Sequence, residues 1–169
     1  MAESRELKTL AAKYIQKGDH GGSNYFGLIK ELVTHRNMFE TGEREYAIWQ
    51  QEIDRIYGLV RDEIVTNHAK PNTPVKFGTS GWRGIIGKDL FVRSVRQVTQ
   101  AILAVYHEVA SNSELAEALG VKTFTEAQTR GCVVGFDNRF GGELLAQGVV
   151  DVLAGNRITV HYAGESTTG

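Results

Sequence analysis

This 169-residue sequence has one cysteine and two prolines, and each scarcity excludes something. A single cysteine, Cys132, cannot close an internal disulfide, so a reducing cytoplasm is the expected setting. Pro71 and Pro74 are the only prolines, and they fall within one short stretch. No apolar run approaches the roughly 20 residues that cross a bilayer. The opening Met-Ala-Glu-Ser-Arg-Glu-Leu-Lys is charged, with no apolar segment behind it, and is not expected to be a secretory signal. Charge of one sign is missing as well. Nineteen basic and twenty acidic residues leave a formal net charge of -1, which gives no global pull toward nucleic acid or acidic membranes. Hydrophobic residues at 41% are enough for a real core. The expectation is a soluble, cytoplasmic, globular protein with no nucleic-acid and no membrane partner.

The proline stretch divides the chain. Proline lacks an N–H and turns the residue before it away from helix, so Ala69–Pro74 reads as a linker. Residues 1–70 are expected to form a mainly helical N-terminal extension. Its helices run roughly from Ser4 to Lys17, from Asn24 to Phe39 and from Glu43 to Asn67. The third carries Tyr46, Trp49, Ile53, Ile56, Tyr57, Val60 and Ile64 at three- and four-residue steps, a single apolar stripe that must be covered. Self-association through these helices is one way to cover it, and packing inside the chain is the other.

Beyond the linker the pattern changes. Leu90–Val109 has Phe91, Val95, Val98, Ile102, Val105 and Val109 at helical spacing. Gly131–Phe136 is a short apolar run bounded by glycine, expected to be a buried strand. Gly142–Leu153 reads as a helix and Ile158–Tyr162 as a second strand, which makes a βαβ unit. The fold expected for residues 75–169 is therefore α/β.

Chemistry concentrates at Phe77-Gly78-Thr79-Ser80-Gly81-Trp82-Arg83-Gly84. Glycines let the backbone turn tightly and bring N–H groups near a ligand, while Thr79 and Ser80 offer hydroxyls. Arg83 offers a planar fork suited to two-point phosphate binding. Between Lys76 and Gln100 stand five bases (Lys76, Arg83, Lys88, Arg93, Arg96) against one acid, Asp89. That local excess suits an anionic ligand. The plain alternative is a glycine-rich hairpin with a surface arginine. Two nucleotide motifs fail here. Five residues rather than four separate Gly81 from Gly87, and Asp89 stands where a Walker loop needs Ser or Thr. No Gly-x-Gly-x-x-Gly follows the Val133-Val134 strand.

The stretch Phe77–Gly84 resembles the opening signature of the α-D-phosphohexomutase superfamily, the phosphoglucomutases and phosphomannomutases. Val133-Val134-Gly135-Phe136-Asp137-Asn138-Arg139 is similar to that family's strand ending in Gly-x-Asp-x-Arg. Ile158–Tyr162 running into Ser166-Thr167-Thr168 stands where members often show Pro-Thr-Pro, here without the prolines. The resemblance spans about Val75 to Gly169 and implies the family's first domain, a three-layer α/β/α arrangement with a mixed sheet. It further implies a hexose phosphate substrate, a phosphoserine, a bound magnesium ion and a hexose 1,6-bisphosphate intermediate, within an enzyme that interconverts hexose 1- and 6-phosphates. By matched position, Thr79, Ser80, Gly81 and Arg83 would bind phosphate or substrate, with Asp137 and Arg139 at the end of the next strand.

One departure is large. The family's phosphoserine sits in a Ser-His-Asn-Pro-like loop, and this chain contains no Ser-His pair. The aspartate-rich metal loop is absent too. The nucleophile is expected beyond Gly169, the fragment itself to be inactive, and the remaining domains of the enzyme to be its partners. Apolar surface that those domains would cover should then be exposed. A non-catalytic phosphate- or sugar-phosphate-binding module on the same fold is the competing reading.

Other residues invite plainer readings. Asp137 and Arg139 can fix a strand–helix corner by pairing with each other. Cys132 reads as a small buried strand residue. His20, His35, His68, His107 and His161 are scattered without metal-ligand spacing.

Overall fold

The computed structural model describes residues 2–164, with side chains from residue 6 onward. Ser166-Thr167-Thr168 lies outside the described residues. Two compact units divide the chain, Met1–Glu63 and Ile64–Gly169. Their boundary falls inside the third helix, ahead of the prolines at which the sequence suggested a break.

The first unit is built from α1 (Ala2–Tyr14), α2 (Tyr25–Arg36) and α3 (Arg44–Thr66), whose last turn belongs to the second unit. The connection from α1 to α2 is organised by Ser23, which is fully buried. Its hydroxyl accepts from the Gln16 N–H at 3.0 Å and donates to the Asp19 carbonyl at 2.6 Å. Asn24 then caps α2 by accepting from the Gly27 N–H at 2.9 Å. At the other end of α2, His35 stacks on Trp49 with ring centroids 4.7 Å apart. Arg36 donates to Gln50 at 2.5 Å.

The apolar stripe of α3 is not a free face. Trp49, Ile53, Ile56, Val60 and Ile64 are all at or below 3% exposure. The stripe is thus covered within the chain, the second of the two ways the sequence left open.

The second unit follows with β1 (Phe77–Gly78), β2 (Gly81–Trp82), α4 (Val92–His107), α5 (Ser113–Leu119) and α6 (Phe124–Arg130). It closes with β3 (Cys132–Val134), α7 (Gly142–Gly155) and β4 (Val160–Tyr162). β1 and β2 form an antiparallel hairpin with Phe77 opposite Trp82 and Gly78 opposite Gly81. β3 and β4 are parallel, with Cys132, Val133 and Val134 opposite Val160, His161 and Tyr162. These are two separate two-stranded sheets, so among the described residues no single sheet mixes both directions. The unit is an α/β domain.

α4 packs on α7, and their shared core gathers Leu103, Val134, Ala146, Val152, Leu153 and Ile158. A second cluster of Val109, Val121 and Ala127 holds α5 and α6. Neither of those short helices shows a long apolar stripe. Each is marked instead by its ends: Asn112 accepts from Leu115 N–H at 3.0 Å, and Thr123 from Glu126 N–H at 3.1 Å. Gly120 and Gly131 follow their C-termini.

Two expectations change in detail. α4 is rotated from the face its valines suggest. Phe91, Ser94, Thr99 and Leu103 are buried, whereas Ile102 and Val105 are 46% and 41% exposed. The outward pair lines a groove with Pro71, Val75 and Phe77, and that groove is almost wholly apolar. β3 is covered on one side only: Val134 is buried, while Val133 points away from the core and is 78% exposed. Cys132 is half-buried.

Leu103, 4% exposed in the α4–α7 core, tests this packing. Leu103→Ala removes buried methyl groups and leaves a cavity, so urea unfolding of the chain should lose about 2–5 kcal/mol. Ile102→Ala, on the outward face, should lose less than about 1 kcal/mol.

Candidate functional site

The Gly-rich signature is a hairpin whose two central residues are Thr79 and Ser80. Gly81 opens β2 at φ +94°, a backbone conformation that residues with a Cβ rarely adopt. Thr79, Ser80 and Arg83 are exposed. Among the described residues, the side chains of all three make no hydrogen bond or ion pair with protein. The Trp82 indole nitrogen, also on β2, is buried without a hydrogen-bond partner. The tip of the hairpin therefore presents two hydroxyls and a guanidinium with their donors unspent.

The surrounding bases are mostly committed elsewhere. Arg93 donates to the His68 carbonyl, and Arg96 pairs with Asp151. That pair, together with a hydrogen bond from Gln147, holds the Asp151 carboxyl below its ordinary value; the Gln147 bond contributes most. Arg83 is the arginine of this stretch that remains open for a ligand.

Asp137 and Arg139 stand on the loop between β3 and α7. Asp137 Oδ1 accepts from the Arg139 N–H at 3.1 Å, and Oδ2 lies 3.1 Å from Arg139 Nε. This turns the corner into the helix, as the pairing alternative supposed. Arg139 is 85% exposed, so the ion pair itself adds little stability. The two groups of predicted residues thus form two local sites. Among the described residues, no hydrogen bond or ion pair joins the hairpin to Asp137 or Arg139.

The residue that sequence reasoning passed over is Asp89. It stood out only as the one acid among five bases and as the residue that breaks the Walker pattern. In the structure it is 1% exposed and ties together the chain on either side of the hairpin. Oδ1 accepts from the Thr73 N–H at 2.8 Å and from the Thr73 hydroxyl at 2.9 Å. Oδ2 accepts from the Ile85 N–H at 2.8 Å. The turn beneath is closed by Asp89 N–H to Ile85 carbonyl at 2.8 Å and Gly87 N–H to Leu90 carbonyl at 2.9 Å. Asn67 donates its side-chain amide to Gly87 at 2.7 Å. Ser94, fully inside, accepts from Phe91 N–H at 3.1 Å and lies 2.6 Å from the Asp89 carbonyl as a donor. α4 therefore starts from the same knot.

Burial alone would push the Asp89 carboxyl up. The hydrogen bonds from Ile85, Thr73 and Asn72 outweigh it and hold the group below its ordinary 3.8. No cluster of three or more His, Cys, Asp or Glu side chains among the described residues could hold a metal ion.

A depressed folded value means that the Asp89 contribution is complete above the unfolded value and is lost as pH falls through the folded one. Asp89→Asn should therefore cost about 2–3 kcal/mol at pH 7, the scale of hydrogen bonds to a charged group. The gap between wild type and variant should narrow below pH 3.8, where the wild-type carboxyl takes up its proton. Urea unfolding at neutral and acid pH measures both. All other carboxylates are common to the two proteins, so the difference isolates Asp89.

Comparison with known proteins bears on the same stretch. Neither the curated proteins nor the solved structures give a match to the chain. A family model does: phosphoglucomutase/phosphomannomutase, alpha/beta/alpha domain I, over residues 74–169. That match takes in the hairpin, Asp89 and Ile85, the Asp137–Arg139 corner and more than half of the sequence, and begins one residue after Thr73. The chain belongs to the phosphoglucomutase/phosphomannomutase family and carries its domain I.

Proposed function

We propose that this chain supplies the first domain of a hexose phosphate mutase, with Arg83, Thr79 and Ser80 holding a phosphate group at the hairpin tip. The reading rests on the open donors of that tip within a stretch matched to domain I. Gly81 lets the backbone come close to the ligand, while Asp137 and Arg139 supply a second polar corner at the end of β3.

In the proposed reaction a phosphoserine passes its phosphoryl group to the free hydroxyl of a hexose monophosphate. The product is a hexose 1,6-bisphosphate and a free serine. After reorientation, the phosphoryl group at the other end returns to the serine and leaves the isomeric monophosphate. The Arg83 fork and the two hydroxyls orient an anionic phosphate and offset its charge during transfer. In this reading the serine, the magnesium ligands and sugar selection belong to other parts of the enzyme, as the lack of a Ser-His pair in this chain suggests for the serine.

Exposed apolar side chains support a domain that works within a larger enzyme. Val75, Phe77, Ile102 and Val105 line one groove, and Val133 lies on the open face of β3. Pairing of the two short sheets with further strands would complete the three-layer, mixed-sheet arrangement. Among the described residues no helix is long and apolar enough to cross a membrane, and a cytoplasmic enzyme is the reading that fits. The competing reading, a non-catalytic phosphate-binding module, uses the same hairpin donors.

The test is conversion of glucose 1-phosphate and mannose 1-phosphate to the 6-phosphates by the full protein that carries this chain. The assay includes magnesium and a catalytic amount of hexose 1,6-bisphosphate. Arg83→Ala should lower kcat/KM by about 100-fold, the loss expected for charge-assisted bonds to a phosphate. A folded protein with no turnover, but with Arg83-dependent phosphate binding, would favour the module. Turnover indifferent to Arg83 would remove the hairpin from the site.

A further inference from the structure

The family match assigns no role to Asp89, yet Asp89 grips the hairpin from both sides. Thr73 precedes β1, and Ile85 follows Arg83 by two residues. One carboxylate binds both, with an oxygen turned to each flank. The residue between Arg83 and Ile85 shows how close this grip is. A Cβ placed on Gly84 would lie 2.5 Å from Asp89 Cβ and 3.3 Å from Cγ. Only glycine lets the backbone that leaves Arg83 rest against that side chain. The knot is deep, with Asp89 at 1% and Ser94 at 2% exposure, whereas the hairpin tip is open to solvent. A rigid base thus carries an exposed binding tip.

We propose that Asp89 is a positioning residue for Arg83: by fixing Thr73 and Ile85 it sets the direction of the guanidinium, without itself touching phosphate. The inference rests on the assignment of Arg83 as a phosphate contact. A guanidinium binds two phosphate oxygens only when its fork is aimed at them, and a long side chain on an unanchored loop loses affinity to disorder. Gly84 serves the same end, since its missing Cβ is the space that Asp89 fills.

The experiment titrates the 169-residue chain with inorganic phosphate. It follows the amide signals of Gly81 and Arg83, the Arg83 Nε–H and the Trp82 indole N–H in nitrogen–proton correlation spectra. Arg83→Ala defines the contribution of the contact. Asp89→Asn keeps the volume and should weaken phosphate binding by about tenfold, the scale of one lost charge-assisted hydrogen bond. It should also shift the Arg83 and Trp82 signals before any phosphate is added. Thr73→Val removes only the hydroxyl donor at an exposed position and should weaken binding by about twofold to fivefold, in the same direction. Leu103→Ala, which destabilises the same unit away from the knot, should leave both affinity and hairpin signals unchanged.

If Arg83→Ala weakens binding while Asp89→Asn and Thr73→Val bind like wild type, the positioning role is overturned and the phosphate site stands. If Asp89→Asn does not fold, Thr73→Val decides: unchanged affinity and unmoved hairpin signals overturn the proposal. Equal losses in Leu103→Ala and Asp89→Asn would reduce Asp89 to general stability and overturn it too. Phosphate binding indifferent to Arg83 would remove the contact itself, and the positioning role would fall with it.

Discussion

A carboxylate removed from water has two ways to remain charged: a cation beside it, or enough hydrogen-bond donors aimed at it. Asp89 takes the second. It has no ion-pair partner among the described residues and draws instead on the backbone and hydroxyl of Thr73 and the backbone of Ile85. These donors come from segments with little regular structure of their own, so the carboxylate does for the loop what a sheet does for a strand. The start of α4 depends on it through Ser94, and the close course of Gly84 follows from its position. Around this point a two-residue strand pair becomes a defined platform, although short hairpins in isolation are marginal in water.

Local patterns made much of the fold legible. Three- and four-residue apolar spacing located α2, α3 and α4 to within a few residues, because each of these helices buries a continuous stripe or a good part of one. The same spacing misjudged the rotation of α4, where Ser94 and Thr99 face inward and Ile102 and Val105 outward. The polar pair is tolerated inside because its hydroxyls meet backbone carbonyls at Phe91 and Val95. No hydropathy pattern encodes that. α5 and α6 carry too few apolar residues for a stripe. Their capping residues, Asn112 and Thr123, with Gly120 and Gly131 behind, were the available signal.

The hairpin itself could be read directly, since the glycines around Thr79 and Ser80 mark a tight turn, and the structure forms one there. Asp89 could not. Its importance depends on Thr73, sixteen residues earlier in the chain, and a contact over such a distance leaves no periodic trace. The aspartate and arginine of Asp137-Asn138-Arg139 are ambiguous by nature. Their side chains serve equally as ligands or as a self-paired corner, and the geometry displays the corner.

The parallel register of β3 and β4 has a consequence in time. Antiparallel strands can zip from a tight turn, whereas β3 must wait until the whole of α7 and the turn beyond it have been made before Val160–Tyr162 exists to pair with it. At about 5–20 residues per second of synthesis, that is a delay of roughly one to several seconds. During it the apolar Cys132-Val133-Val134 run has no strand beside it. The Thr73–Asp89 knot is complete much sooner after its last residue emerges. On the ribosome, the domain is thus expected to acquire its hairpin end first and its β3–β4 sheet second, with the interval between them the period of greatest exposure to misassociation.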